Sequence, residues 1–240
     1  MDTGVNAYNP TDRSKVKRLH ERGHYDRDTV HAILDAGMIA HIAYVIPDGS
    51  NGGQPYVTPT AYWRDGDVLY WHGSSASRML RTQTAGIPVC LTVTHLDGLV
   101  LARSGFHHSI NYRSVMAFGK AQKVEDIVEK EKHVNRFVER VYPGRNATMR
   151  GIDPQELKAT TLLSMEIEEA SAKIRTGPPK DDEPDYALDC WAGVIPIAQV
   201  IGAAVPDPLL KAGVAWPEHL RVFTENRRLD AVMTEHADQY

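Results

Sequence analysis

The chain has 240 residues, 42 % of them hydrophobic and 24 % charged, a balance that excludes a disordered chain, a collagen-like fibre and a disulfide scaffold. Its 27 Lys and Arg stand against 31 Asp and Glu, for a net charge of −4. Nucleic-acid-binding domains usually carry the opposite, basic surplus, which releases counterions from phosphates.

The length suits one large domain or two small ones. Met1 to Pro10 lacks the basic-then-apolar layout of a signal peptide. No apolar run reaches the ~20 residues needed to span a bilayer; the longest, Cys190 to Val205, is broken by Gly193, Pro196 and Gly202. A cytoplasmic protein that meets neither membrane nor nucleic acid is expected. Cys90 and Cys190 sit among apolar residues, outside any CxxC or zinc spacing, and are expected as buried thiols.

Residues 1–22 are polar and basic and are expected as an arm outside the core. Asp26 then caps a short helix with Val30, Ile33 and Leu34 on one face and Gly37 as its stop. Met38 to Ile46 reads as a strand closed by the turn Pro47-Asp48-Gly49. Tyr56 to Trp63 and Val68 to Trp71 flank Asp65-Gly66, a hairpin signal. In Tyr70 to Gly86 a strand ends at His72, Gly73 permits a sharp turn, and Ser74, Ser75, Ser77 and Arg78 open a helix. Val89 to Leu96 and Leu99 to Arg103 suggest a second hairpin about Asp97-Gly98.

Tyr112 to Val124 and Thr160 to Ile167 read as further strands, and Lys173, Arg175 and Thr176 lie on another before Gly177-Pro178-Pro179. Between them, apolar positions from Val124 to Val141 follow helical spacing up to Pro143-Gly144. Consecutive hairpins without regular helical crossovers point to a mainly β fold, an antiparallel sheet closed or half closed as a barrel. The tail is rich in Pro and acidic residues and then apolar at Trp191, Ile195 and Ile197. The expected division is an arm at 1–22, a barrel domain at 23–180 and an extension packed on it at 181–240. Trp191 to Ile197 is expected to cover the substrate side of the cleft.

The segment Ser74 to Arg78 carries the clearest chemistry. Free N–H groups at a helix start, several hydroxyls and an arginine suit a phosphate monoester. The alternative is ordinary serine capping beside a surface arginine. No GxGxxG, GxxxxGK[ST] or GxSxG occurs. His107 and His108 are adjacent, which on a strand puts them on opposite faces, and no carboxylate stands at ligand spacing, so no metal site is expected. His72 is either a packing histidine or a contact to a bound ring or substrate. Asn111-Tyr112-Arg113-Ser114 and Lys173 with Arg175, together with Arg78, spread cations over strand ends of an acidic chain. That pattern fits the rim of a pocket for an anionic cofactor.

Six runs carry a family resemblance. YDRDTVHAILDAGMIAHIAYV, PYVTPTAYWRDGDVLYWHGSSASRM and GKAQKVED resemble the flavin-binding split-barrel proteins, the superfamily of pyridoxamine 5'-phosphate oxidase. LTVTHLDGLVLARSGFHHSINYRSVMAFG, EASAKIRTGPP and WAGVIPI are similar to a subgroup of its nitroimidazole-resistance-related, flavin-nucleotide-binding branch. The resemblance runs from Arg22 to Asp207. It implies a six-stranded antiparallel split barrel, a homodimer, and a flavin (FMN, alternatively FAD) at the dimer interface. It further implies that Val57, Thr58, Pro59 and Thr60 run along the flavin ring and that His72, Ser74, Ser75, Ser77 and Arg78 hold the ribityl chain and phosphate. Asn111, Tyr112 and Arg113 would reach the cleft, Lys173 and Arg175 would stand near the ring, and His72 would be a catalytic substrate contact.

The implied activity is an oxidoreductase that moves hydride between a nicotinamide donor, NADH or NADPH, and a small organic acceptor. The alternatives are a flavin-nucleotide carrier without turnover, a deazaflavin-binding protein, and a haem-binding protein with His72 or His108 as axial ligand. The Arg-Leu-x-Pro ending of the pyridoxal-phosphate-forming oxidase is absent, so pyridoxamine oxidation is not expected.

Overall fold

A computed structural model describes residues 6–47, 49, 52–237 and 239. Asp48 of the expected turn lies outside the described residues, as do 1–5 of the arm. The strands are β1 (Gly23–His24), β2 (Ile39–Ile46), β3 (Gln54–Asp65), β4 (Val68–Ser74), β5 (Pro88–Leu101), β6 (Ser109–Lys120), β7 (Gln122–Lys123), β8 (Thr160–Glu166), β9 (Glu169–Arg175) and β10 (Gly193–Pro196). The helices are α1 (Arg27–Asp35), α2 (Arg78–Gln83), α3 (Ile127–Val141), α4 (Pro154–Ala159) and α5 (Leu229–Ala237). The strands form one antiparallel sheet in the order β1-β9-β6-β5-β2-β3-β4-β8-β7, with β10 beside β5.

Alternation explains the core. Ala40, Ile42 and Tyr44 of β2, Leu69 and Trp71 of β4, Leu91 and Val93 of β5, and Val115 and Ala117 of β6 point inward. Leu163 and Met165 of β8 complete the filling. The six strands β2, β3, β4, β8, β6 and β5 thus curl into an antiparallel split barrel, as the sequence led one to expect. The curl brings the end of β6 against β8: a Cβ on Gly119 would stand 2.3 Å from the Glu166 carbonyl oxygen. On the outside, Trp63, Tyr70 and Leu162 form a second apolar cluster covered by Phe137 of α3.

Several local signals are realised. Asp26 accepts from the Thr29 N–H at 2.8 Å and starts α1, and Asp65 pairs with Val68 about Gly66, which takes φ +58°. Others are corrected. Asp97-Gly98 is a β-bulge, not a hairpin turn: β5 runs straight through it, paired with β6 and, beyond the bulge, with β10. α3 begins at Ile127 rather than Val124, because Asp126 accepts from the Val128 and Glu129 N–H groups, both at 2.9 Å. α2 begins at Arg78 and ends at Gln83, shorter than the expected span.

The arm does not lie outside the core. Tyr8 is 2 % exposed, and its hydroxyl donates to Asp67 at 2.8 Å. Cys190 is exposed and Cys90 half-buried, so neither is a fully buried thiol. No described helix is long and apolar enough to cross a membrane. α4 and α5 were not anticipated, although the Asp153/Glu156 capping box of α4 is a readable signal.

Candidate functional site

The barrel splits where β3 and β4 part. They pair only over Tyr62–Asp65 and Val68–Trp71; β4 then continues along β8 to Ser74, while Gln54–Ala61 of β3 pairs with β2 alone. The edge of β3 facing β4 is therefore open from Val57 to Thr60, with Val57 63 % exposed. Gly73 lets α2 close over the end of β4, since a Cβ there would meet Leu80 Cδ1 at 3.0 Å. Beyond it, Ser74 Oγ accepts from the Ala76 N–H at 3.2 Å, and the Ser75 N–H donates to the Ala159 carbonyl at 2.8 Å.

The hydroxyls of Ser75 and Ser77 make no hydrogen bond among the described residues, and Ser77 precedes α2 without a side-chain cap. Arg78 is exposed and lies over the Tyr56 ring, 4.6 Å from its centroid. No carboxylate among the described residues pairs with it. One uncommitted cation and two uncommitted hydroxyls thus stand beside an open strand edge. This group fits a phosphate through charge and hydroxyl donors rather than through a helix dipole, because α2 has only six residues.

His72 is placed differently from a free substrate contact. Its ring packs edge-on against Trp63 and Phe137, with centroids 5.8 and 4.9 Å away. Burial pushes its pKa down and keeps it neutral, and Nδ1 is buried with no partner among the described residues. α3 shields it, and packing accounts for its position.

The remaining expected residues gather elsewhere. β9 stands five strand-to-strand steps from β4 in the sheet, about 24 Å along it at ~4.8 Å per step. Tyr112 pairs with Arg175 and Ser114 with Lys173, all on the outer face. Arg113 alternates to the other face, where it donates to Asp97 at 2.9 and 2.8 Å and to Asp230 of α5 at 3.0 Å. Those hydrogen bonds raise its pKa. Arg113 is therefore not a free rim cation, as the sequence reading had it; it clamps the C-terminal helix. Asn111 accepts from Arg175 through Oδ1 and donates to the Gly177 carbonyl at 3.1 Å.

Hydrogen bonds from Arg228 and then Arg113 hold the Asp230 carboxyl well below the ordinary value near 3.8. A depressed carboxylate stabilises the fold above that ordinary value and loses the contribution as the pH falls toward its own pKa. Asp230→Asn is expected to cost about 1 kcal/mol at pH 7 in urea unfolding, a deficit that shrinks as the pH falls below ~3.8, where the unfolded chain's group protonates, and closes toward the folded group's lower pKa. An equal deficit at pH 7 and at pH ~2.5 would contradict this clamp.

His107 and His108 do not alternate along a strand. Gly105–His107 form a 3-10 turn in which His107 Nδ1 meets Ser104 Oγ at 2.8 Å and His108 Nδ1 donates to the Ser104 carbonyl at 2.9 Å. His107, Asp181 and Asp185 bring ligand atoms within 4.8 Å of one another. Asp181, however, already holds Arg103 at 3.1 Å and accepts from the Arg103 N–H at 2.9 Å. Trp191 to Ile197 does not cover the Arg78 group: its strand pairs with β5, and Trp191 is 66 % exposed. The sequence reading missed Asp97 and Asp230, whose roles depend on long-range register. It also missed an apolar cavity of about 990 Å³ between Val138, Tyr142, Met149 and the segment 204–220.

Comparison with known proteins follows the same lines. The family described as pyridoxamine 5'-phosphate oxidase matches residues 26–174. The structure of the flavocytochrome Anf3 from Azotobacter vinelandii is 44 % identical and superposes with a TM-score of 0.83, over 91 % of this chain and 99 % of that one. The FAD and haem binding protein from Mycobacterium smegmatis is 34 % identical with a TM-score of 0.80, over 86 % of this chain and 99 % of that one. Comparison with the curated proteins gives no match. A match over most of the barrel and identity above 30 % along nearly the whole of two relatives leave one assignment: the chain belongs to the pyridoxamine 5'-phosphate oxidase family.

Proposed function

We propose that the chain is a flavin-dependent oxidoreductase that takes hydride from NADH or NADPH and passes it to a small organic acceptor. The observation that carries this reading is the uncommitted Arg78, with the free Ser75 and Ser77 hydroxyls, beside the open β3 edge. Arg78 and the serines would hold the flavin phosphate, and Val57 to Thr60 would offer backbone groups to the ring. The flavocytochrome and the FAD and haem binding relative support a flavin, FMN or FAD, as the cofactor. The flavin supplies the hydride chemistry; the protein binds it, orients it and excludes water. No general acid is required, which suits a cleft without a catalytic triad.

The reading includes a homodimer. Lys173, Arg175, Asn111 and Tyr112 lie on β6 and β9, which pair with neither β3 nor β4, and a second copy would bring them to the cleft. The outer sheet face supports this, because Ile39, Val45, Val57 and Met116 are all exposed on it.

A second reading adds haem, as in both relatives. His108 suits an axial ligand better than His72: its Nδ1–H is held by the Ser104 carbonyl, which orients the ring and leaves Nε2 outward. A Soret band in the purified protein that disappears in His108→Ala and persists in His72→Ala would establish it.

The absorbance spectrum, followed by anaerobic NADH and then NADPH, tests the main reading. Bands near roughly 370 and 450 nm that bleach are expected; bands that persist would point to a carrier instead. Arg78→Ala is expected to weaken flavin binding by ~1.5–3 kcal/mol, the range for a hydrogen bond to a charged group. Unchanged affinity in a fluorescence titration would remove Arg78 from the site.

A further inference from the structure

We infer that the corner built by Arg22, Asn111, Lys173 and Arg175 is an oxyanion site that takes the phosphate or carboxylate group of a small molecule. The half-buried Arg103 and Arg113 and the buried Arg140 each meet a carboxylate: Asp181, Asp97 with Asp230, and Asp35 respectively. Arg175 does not. It is 9 % exposed, and its hydrogen-bond partner is the neutral Asn111 amide oxygen. Its Nε and Nη2 have no partner among the described residues, yet neither is sealed away from the surface.

The neighbours add positive charge rather than relieve it. Gly23 of β1 pairs with Lys173, which sets the preceding Arg22 beside the end of β9. Lys173 lies on the same face as Arg175, about 7 Å along the strand, and makes no ion pair among the described residues. Burial first, and then the charge of Arg22, push the Arg175 pKa down. A largely buried guanidinium without a counter-ion is unfavourable to the fold. Asn111, anchored on the Gly177 carbonyl, nevertheless holds it in place. Two accessible N–H donors, with two further cations alongside, are the donor set that grips two oxygens of one anion.

This inference does not require the flavin: the ligand is either a phosphate of the flavin nucleotide itself or the anion of a separate donor or substrate. The full-length chain is heated in increasing sodium phosphate and in chloride of equal ionic strength, with and without saturating FAD. A phosphate-specific rise in Tm of about 3–6 °C is expected at roughly ten times Kd. The series is run in the Arg78→Ala background, which removes the other phosphate-binding group; there Arg175→Gln should abolish the rise and Arg22→Gln should shift it to about three- to tenfold higher phosphate. Arg175→Gln removes an uncompensated buried charge and is not expected to unfold the protein. Loss of the response once FAD is bound would assign the site to the flavin phosphates, and persistence to a separate ligand.

A rise equal to that in chloride would overturn the proposal, as would one that survives Arg175→Gln. So would Arg175→Gln that turns a dimer into a monomer with no phosphate effect, since Arg175 would then meet a carboxylate of the second copy. A titration followed by calorimetry reads the same affinities without heating.

Discussion

Gly119→Ala is expected to destabilise the protein by about 3 kcal/mol or more, a large effect for the addition of one methyl group. The new Cβ would stand 2.3 Å from the Glu166 carbonyl oxygen and 2.6 Å from Met165 Cγ, where β6 meets β8. The Met165 side chain can yield, but the Glu166 backbone is locked by the pairing of β8 with β4. Relief therefore requires the barrel to open at its seam. Gly105→Ala is the control, because nothing lies within 4 Å of its added Cβ and its φ is not positive, and it should change stability by less than ~0.5 kcal/mol. Urea unfolding of both variants checks the pair. A Gly119→Ala midpoint close to wild type would mean that β6 and β8 do not meet as the structure has them.

Arg140→Met should cost about 3 kcal/mol, the lower end for removing one partner of a buried ion pair. Arg140 is 6 % exposed in α3. It donates to the Asp35 carbonyl at 2.5 Å and to the Met233 carbonyl, and its guanidinium lies 3.8 Å from the Asp35 carboxylate. One side chain thus ties together α1, α3 and α5. Asp35 keeps Arg64 as a partner, so the loss stays near the lower bound, while two buried carbonyls lose their donor. Arg140→Lys should rescue little, because one ammonium cannot reproduce the planar fork that reaches both carbonyls. Because α5 is released, limited proteolysis should cut the C-terminal segment faster in Arg140→Met than in wild type. Equal cleavage together with a loss below ~1 kcal/mol would show that the tie contributes little.

Much of the fold is legible in short windows. Asp26 with Val30, Ile33 and Leu34 specifies α1 because capping and one apolar face act within a few residues. Asp65-Gly66 specifies its hairpin because only glycine takes the positive φ cheaply. Asp97-Gly98 has the same local chemistry and a different outcome. The segment beyond it finds β6 on one edge and β10 on the other, and this pairing outweighs the turn propensity. Tyr8 escaped the reading for a similar reason: an arm rich in charges hides one aromatic residue whose pocket is formed by distant residues.

The candidate site divides along the same line. The α1 cap, the Asp65-Gly66 hairpin, the family resemblance and the closeness of Ser75, Ser77 and Arg78 to one another are legible in the chain itself, because each depends on residues a few positions apart. Which cations are free depends on folding. Arg113 is neutralised by Asp97 and by Asp230, the latter 117 positions away, whereas Arg175 is left with an amide. A guanidinium's electrostatic state is set by what stands within a few ångströms of it, and in a sheet that is decided by long-range register, which no local window contains.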